Sequence, residues 1–112
     1  IVKMFELLAG TGKLVKITEL DMGLVDENGN TVMTENVTEE QHKAMGEFYK
    51  FIIHKYFEII PVNQRYGITH WCPTDSPASS SWRGGQPVGL WTEGGFYRKH
   101  TFAAFADGLA GN

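Results

Sequence analysis

VKITELDMGL, residues 15–24, is the stretch on which the reading of this chain turns. Val15, Lys16, Ile17 and Thr18 favour a strand, because β-branched side chains suit a pleated, half-buried surface. The strand runs straight into two carboxylates two positions apart, Glu19 and Asp21. Side chains alternate along an extended chain, so Ile17, Glu19 and Asp21 are expected on one face for as long as the strand continues. Two acids then stand at the mouth of whatever Ile17 helps to fill.

On either side of this strand the pattern is helical. Upstream, IVKMFELLA (1–9) places Met4, Leu7 and Leu8 at helical spacing, and Gly10 and Gly12 fit a helix stop. Downstream, residues 22–37 read as a loop with a turn at Asn28-Gly29. Thr38-Glu39-Glu40-Gln41 fits a capping box, with Thr38 accepting from the Gln41 amide and the Gln41 side chain returning to the Thr38 amide. Met45, Phe48, Ile52 and Ile59 mark one face of the long helix that follows, which Pro61 ends. YGITHW (66–71) is a second short strand, and residues 100–109 form a last helix with Phe102, Phe105 and Leu109 on one stripe.

Helix, strand, helix, strand, helix implies right-handed crossovers and parallel strands, hence an α/β fold. Two parallel strands cannot form a covered sheet, because such strands are normally buried on both faces of larger sheets or barrels. The chain is therefore expected to be part of a larger fold, completed by further polypeptide or by other copies. Between the second strand and the last helix lies WCPTDSPASSSWRGGQPVGLWTEGGFYRKH, a connection of about thirty residues holding all three tryptophans. Loops of this length inside compact domains are functional or disordered, and Trp71, Trp82, Trp91, Phe96 and Tyr97 argue for order. In α/β folds function gathers in loops after the strand C-termini, where both Glu19 and Trp71 fall.

Composition narrows the functional classes. The 112 residues are 42% hydrophobic and 12% aromatic, enough for one domain with a core. A net charge of −3, with ten scattered Lys and Arg, offers no basic patch for nucleic acid or an anionic membrane. No apolar run approaches the ~20 residues of a membrane span, so a soluble chain is expected. The chain opens on Ile1-Val2-Lys3 with no visible secretion leader. One cysteine, Cys72, excludes an internal disulfide and has no evident base partner, so it reads as a small buried residue. The four histidines lack HxH or HExxH spacing, so no metal site is expected. His42 and His54 read as solvated helix positions, and His70 as a structural hydrogen-bonding residue.

Glu19 and Asp21 admit two readings. Acids at a strand end cap the next segment or face water; alternatively, one of them serves as nucleophile or base with the other orienting it through a third group. Glycoside hydrolysis uses such a carboxylate opposite a protonated partner about 5–5.5 Å away. Tryptophans beside a carboxylate suit the apolar C–H faces of sugar rings. For Trp71 and Trp91 core packing is the competing reading, whereas Trp82, inside SSSWRGG, has few apolar neighbours.

These residues carry a specific resemblance. KITELDMGL resembles the nucleophile motif [IV]TELD[IV] of glycoside hydrolase family 10, the endo-β-1,4-xylanases. Trp71, Asp75, Ser81-Trp82-Arg83, Gly89-Leu90-Trp91 and Tyr97-Arg98-Lys99-His100-Thr101-Phe102 follow in the order of that family's closing pattern. The segment between Trp71 and Trp82 is longer than in the commonest members. The resemblance implies the C-terminal portion of a (β/α)8 TIM barrel: the end of helix 6, strand 7, helix 7, strand 8, the long loop and helix 8, with residues 1–112 a C-terminal fragment of the catalytic domain. It implies that Glu19 is the catalytic nucleophile, that Asp21 orients it through a histidine, and that Trp71 and Trp82, followed by Arg83, line the sugar subsite on the non-reducing side of the cleaved bond. It implies xylan and xylo-oligosaccharides as substrates, no cofactor or metal, and a secreted or periplasmic setting. The family's acid/base glutamate and bridging histidine lie upstream of Ile1, so this chain alone is expected to be inactive and to need the N-terminal part of the barrel. A noncatalytic carbohydrate-binding fragment, and a homo-oligomer assembled through exposed strand edges, are the competing expectations.

Overall fold

A computed structural model describes all of residues 1–112. The elements follow the expected order: α1 (Val2–Ala9), β1 (Val15–Leu20), α2 (Glu39–Ile59), β2 (Arg65–His70) and α3 (His100–Leu109), with single 3-10 turns at Thr34–Asn36, Val62–Gln64 and Glu93–Gly95. β1 and β2 pair in parallel as a two-stranded sheet. The capping box forms, with the Gln41 amide donating to Thr38 Oγ1 at 3.2 Å and the Thr38 amide donating to Gln41 Oε1 at 2.9 Å. No helix is long and apolar enough to cross a membrane.

Phe5 of α1, Val15 and Leu20 of β1, Tyr49, Ile52, Ile53 and Tyr56 of α2, Ile60 and Phe105 of α3 form one buried cluster. Tyr56 is its polar anchor. The Tyr56 hydroxyl donates to the Val15 carbonyl at 2.7 Å and accepts from the Tyr66 and Gly67 amides at 3.2 Å each, so one helix side chain holds the starts of both strands. Gln64 Nε2 donates to the Ala9 and Lys13 carbonyls, tying the turn before β2 to the end of α1. Arg65 closes the C-terminus of α2 by donating to the Ile60 and Phe57 carbonyls, a favourable place for a cation. α2 and α3 cross closely at Gly46, where a Cβ would lie 3.1 Å from that of Ala104.

Several expectations are revised. In α1, Met4, Leu7 and Leu8 are exposed and Phe5 is the buried residue. In α2 the buried stripe runs through Met45, Tyr49, Ile52, Ile53 and Tyr56, while Phe48 is exposed and its ring stacks on exposed Phe51 at 6.2 Å. β1 extends through Glu19 and Leu20, but Ile17 pairs with Ile68 and Leu20 with His70, three steps against two. This irregularity breaks the alternation. Ile17 packs against the buried cluster with Val15 and Leu20, whereas Glu19 is exposed, so Ile17 and Glu19 do not share an environment. The exposed strand residues, among them Lys16, Thr18, Glu19 and Tyr66, mark a side of the sheet that no helix of this chain covers. Lys16 Nζ sits 5.5 Å from the Tyr66 ring centre on it.

Candidate carbohydrate site at the strand ends

The long connection after β2 is ordered by a buried ion pair. Lys99 Nζ lies 2.6 Å from Asp75 Oδ1, with the two side chains 4% and 2% exposed. Asp75 Oδ1 also accepts from the Gly89 amide at 3.0 Å, Lys99 Nζ donates to the Pro87 carbonyl at 3.2 Å, and Thr101 Oγ1 donates to the Gly89 carbonyl. These contacts fasten the start, middle and end of the loop to one another and to the first turn of α3. Burial pushes the Lys99 ammonium below its ordinary range, while the bond to Asp75 pulls the other way. At Gly89 there is no room for a side chain, since a Cβ would collide with the Thr74–Asp75 peptide. The backbone also runs through Cys72 at φ 67 and Arg83 at φ 49, a region that L-residues seldom adopt.

This scaffold brings the five candidate residues to the C-terminal ends of the strands. The Trp71 amide donates to the Leu20 carbonyl at 3.0 Å, so the Trp71 backbone lies alongside the end of β1 at the residue that follows Glu19. Arg83 Nη1 reaches Asp21 Oδ1 at 3.3 Å, and its guanidinium lies 5.4 Å from the Trp82 ring centre. Asp21 is thus joined through one arginine to Trp82. Trp71 and Trp82 remain 47% and 40% exposed, which rules out core packing for both. Trp91 is half-buried, edge-on to Phe102 at 5.4 Å, with Arg98 against both rings. Glu19 is exposed and enters none of the chain's ion pairs.

No protein-family model matches the chain. Among curated proteins it is 35% identical over 68 residues to the endo-β-1,4-xylanase Xyn10C of Cellvibrio japonicus, a match covering 58% of this chain and 11% of that protein. Among solved structures, native xylanase 10C of the same organism superposes with a TM-score of 0.79 at 25% identity, over 99% of this chain and 25% of that one. A variant of that xylanase in complex with xylopentaose superposes at 0.76 with 26% identity, over 99% and 24% of the two chains. The chain thus resembles glycoside hydrolase family 10 xylanases in both sequence and fold. Its fold is the C-terminal portion of a (β/α)8 barrel, and it spans about a quarter of the length of those solved relatives. The exposed Met4, Leu7 and Leu8 and the uncovered side of the sheet follow from this, because in a closed barrel both would meet neighbouring elements.

Within this barrel fold, sequence reasoning missed the support beneath the site. Tyr49 is buried in α2 with its hydroxyl 3.1 Å from His70 Nε2, and His70 also packs edge-on to Phe105 at 5.5 Å. His70 is thus structural, as its position suggested. Burial pushes its imidazole below the usual range against the opposing charge of Asp21. Burial and the Asp21 charge together raise the Tyr49 hydroxyl far above that of an exposed tyrosine. Cys72 is only half-buried, and what burial it has, together with nearby Asp21, raises its thiol, so it is neither a core residue nor an activated nucleophile. His42 and His54 are half-buried rather than solvated, with His42 Nδ1 and His54 Nε2 enclosed and unpartnered.

Proposed function

We propose that this chain supplies the nucleophile side of a retaining endo-1,4-β-xylanase that cleaves internal β-1,4-xylosidic bonds of xylan by double displacement. The observation that carries this reading is the convergence at the strand ends. The Trp71–Leu20 backbone bond and the Asp21–Arg83–Trp82 chain gather two exposed tryptophans beside the strand that presents Glu19. Glu19, ionised, attacks the anomeric carbon and forms the glycosyl-enzyme; a carboxylic acid elsewhere in the barrel protonates the leaving oxygen and then activates water. Asp21 orients the nucleophile's surroundings, and Trp71 and Trp82 stack on a sugar ring next to the cleaved bond. Arg83 holds Trp82 in register with β1. No cofactor enters this chemistry, and an exported setting, secreted or periplasmic, suits an enzyme acting on a polymer.

The 112 residues offer one carboxylate of the required pair, so the chain alone should not turn over xylan. Adding it to the remainder of the barrel and measuring reducing sugar released from xylan tests this. Activity in the mixture and none in either part supports the proposal; strong hydrolysis by this chain alone refutes it. A second reading, sugar binding without turnover, is favoured by the exposure of Trp71 and Trp82. Titration with xylo-oligosaccharides separates the two, since binding abolished by Trp82→Ala with no turnover in the complete protein would favour binding only. The apolar α1 face and open sheet edges also allow copies of the chain to assemble. Size-exclusion mass at two concentrations decides whether they do.

A further inference from the structure

A second recessed site lies away from the strand-end residues. A cleft of about 450 Å³ opens where the first turns of α2 and α3 meet the long loop, and none of Glu19, Asp21, Trp71, Trp82 or Arg83 lines it. All its walls come from this chain. Thr34 Oγ1, His42 Nδ1 and Asp75 Oδ2 belong to residues lining it, and each is a buried polar atom with no hydrogen-bond partner. Asp75 is 2% exposed, and its other oxygen is fully engaged by Lys99 and the Gly89 amide. Buried polar atoms left unpaired are unfavourable and are normally satisfied by water or ligand.

Two charge pairs line the cleft, and Arg98, which lies against Trp91 and Phe102 and enters no ion pair, is the remaining charge. Lys99 pairs with Asp75 at 2.6 Å and His100 with Glu39 at 2.7 Å. Burial and the nearby Lys99 push the His42 imidazole below its ordinary range, which favours its neutral form. What remains unsatisfied is a hydroxyl, a ring nitrogen and the second oxygen of a compensated carboxylate. An anion could answer Arg98 but would face the unpartnered Asp75 oxygen, and a cation would meet both Arg98 and Lys99. A ligand whose groups both donate and accept meets all three, and neighbouring hydroxyls on a small ring do so without bringing charge. The volume far exceeds the roughly 30 Å³ share of one water.

We propose that this cleft is a second binding site, for a neutral polyhydroxylated molecule the size of a single sugar ring. The inference does not rest on the xylanase reading. The test is a titration of the isotope-labelled 112-residue chain with D-xylose, followed by amide and imidazole NMR shifts. Tetrahydropyran, a comparable ring without hydroxyls, serves as control and glycerol as an acyclic polyol. The site predicts saturable shifts at Thr34, His42 and Asp75 with xylose and none with tetrahydropyran. A response to glycerol as well supports recognition of adjacent hydroxyls irrespective of the ring. Thr34→Val should weaken the xylose response at His42 and Asp75 about three- to tenfold, and Thr34→Ser should retain it. Shifts confined to Trp71 and Trp82, equal shifts with tetrahydropyran, or ordered water only in a crystal soaked with xylose would overturn the proposal.

Discussion

Replacing Lys99 by methionine keeps most of the side-chain volume and removes the ammonium that holds the long loop. In the native chain that ammonium donates to Asp75 Oδ1 at 2.6 Å and to the Pro87 carbonyl at 3.2 Å, in surroundings that leave 4% of Lys99 and 2% of Asp75 exposed. The variant leaves a buried carboxylate whose one remaining donor is the Gly89 amide, while Oδ2 has no partner. Removing one member of a buried pair costs about 3–5 kcal/mol, a large share of the roughly 5–15 kcal/mol that holds an ordinary domain together. With a urea slope of about 1–3 kcal/mol/M, the unfolding midpoint, followed by tryptophan fluorescence and circular dichroism, should fall by about 1–5 M. The double variant Asp75→Leu/Lys99→Met should recover much of the loss, since the penalty lies in the unpaired charge. A Lys99→Met cost below about 1 kcal/mol, as for exposed pairs, would refute the view that this pair organises the loop.

Other tests address the frame and the site. Tyr56→Phe leaves the Val15 carbonyl and the Tyr66 and Gly67 amides without their shared hydroxyl, and should cost about 1–3 kcal/mol in urea unfolding. Gly89→Ala should displace the loop, read as a large loss of near-ultraviolet tryptophan dichroism, because the added Cβ collides with the Thr74–Asp75 peptide. His42 and His70 both sit below the ordinary histidine value of 6.5 in the folded chain, mainly through burial. The unfolded chain therefore takes up protons first as pH falls below that value, and stability should drop until the folded-state values are passed. His42→Gln and His70→Gln should each flatten the melting-temperature profile over that window, and unchanged slopes would contradict the assignment. Arg83→Gln should weaken xylo-oligosaccharide binding through loss of the Asp21–Trp82 link, with Trp82 fluorescence shifting towards that of a solvated indole.

Most of the element order was readable because its signals are local. The Thr38–Gln41 capping box, Pro61 after α2 and the glycines after α1 act over a turn of chain, and each appears where its chemistry places it. The parallel pairing followed from connection lengths. The irregularity between Ile17 and Leu20 was not readable, because it depends on how β1 pairs with β2 some fifty positions away. The buried stripe of α1 was misassigned for another reason: Met4, Leu7 and Leu8 obey helical periodicity for a neighbour that this chain does not contain. At the candidate site, the motif named Glu19, Asp21, Trp71, Trp82 and Arg83. The Asp21–Arg83 contact and the Tyr49–His70 support beneath it join residues more than twenty positions apart, which no spacing rule connects.

The most direct measurement is covalent trapping of the complete protein that contains this chain. A 2-fluoro xylobioside with a good leaving group should inactivate it in a time-dependent manner, and peptide mass analysis should locate the sugar on the peptide bearing residues 17–22, at Glu19. Native inactivation kinetics with the label on any other side chain would contradict the account.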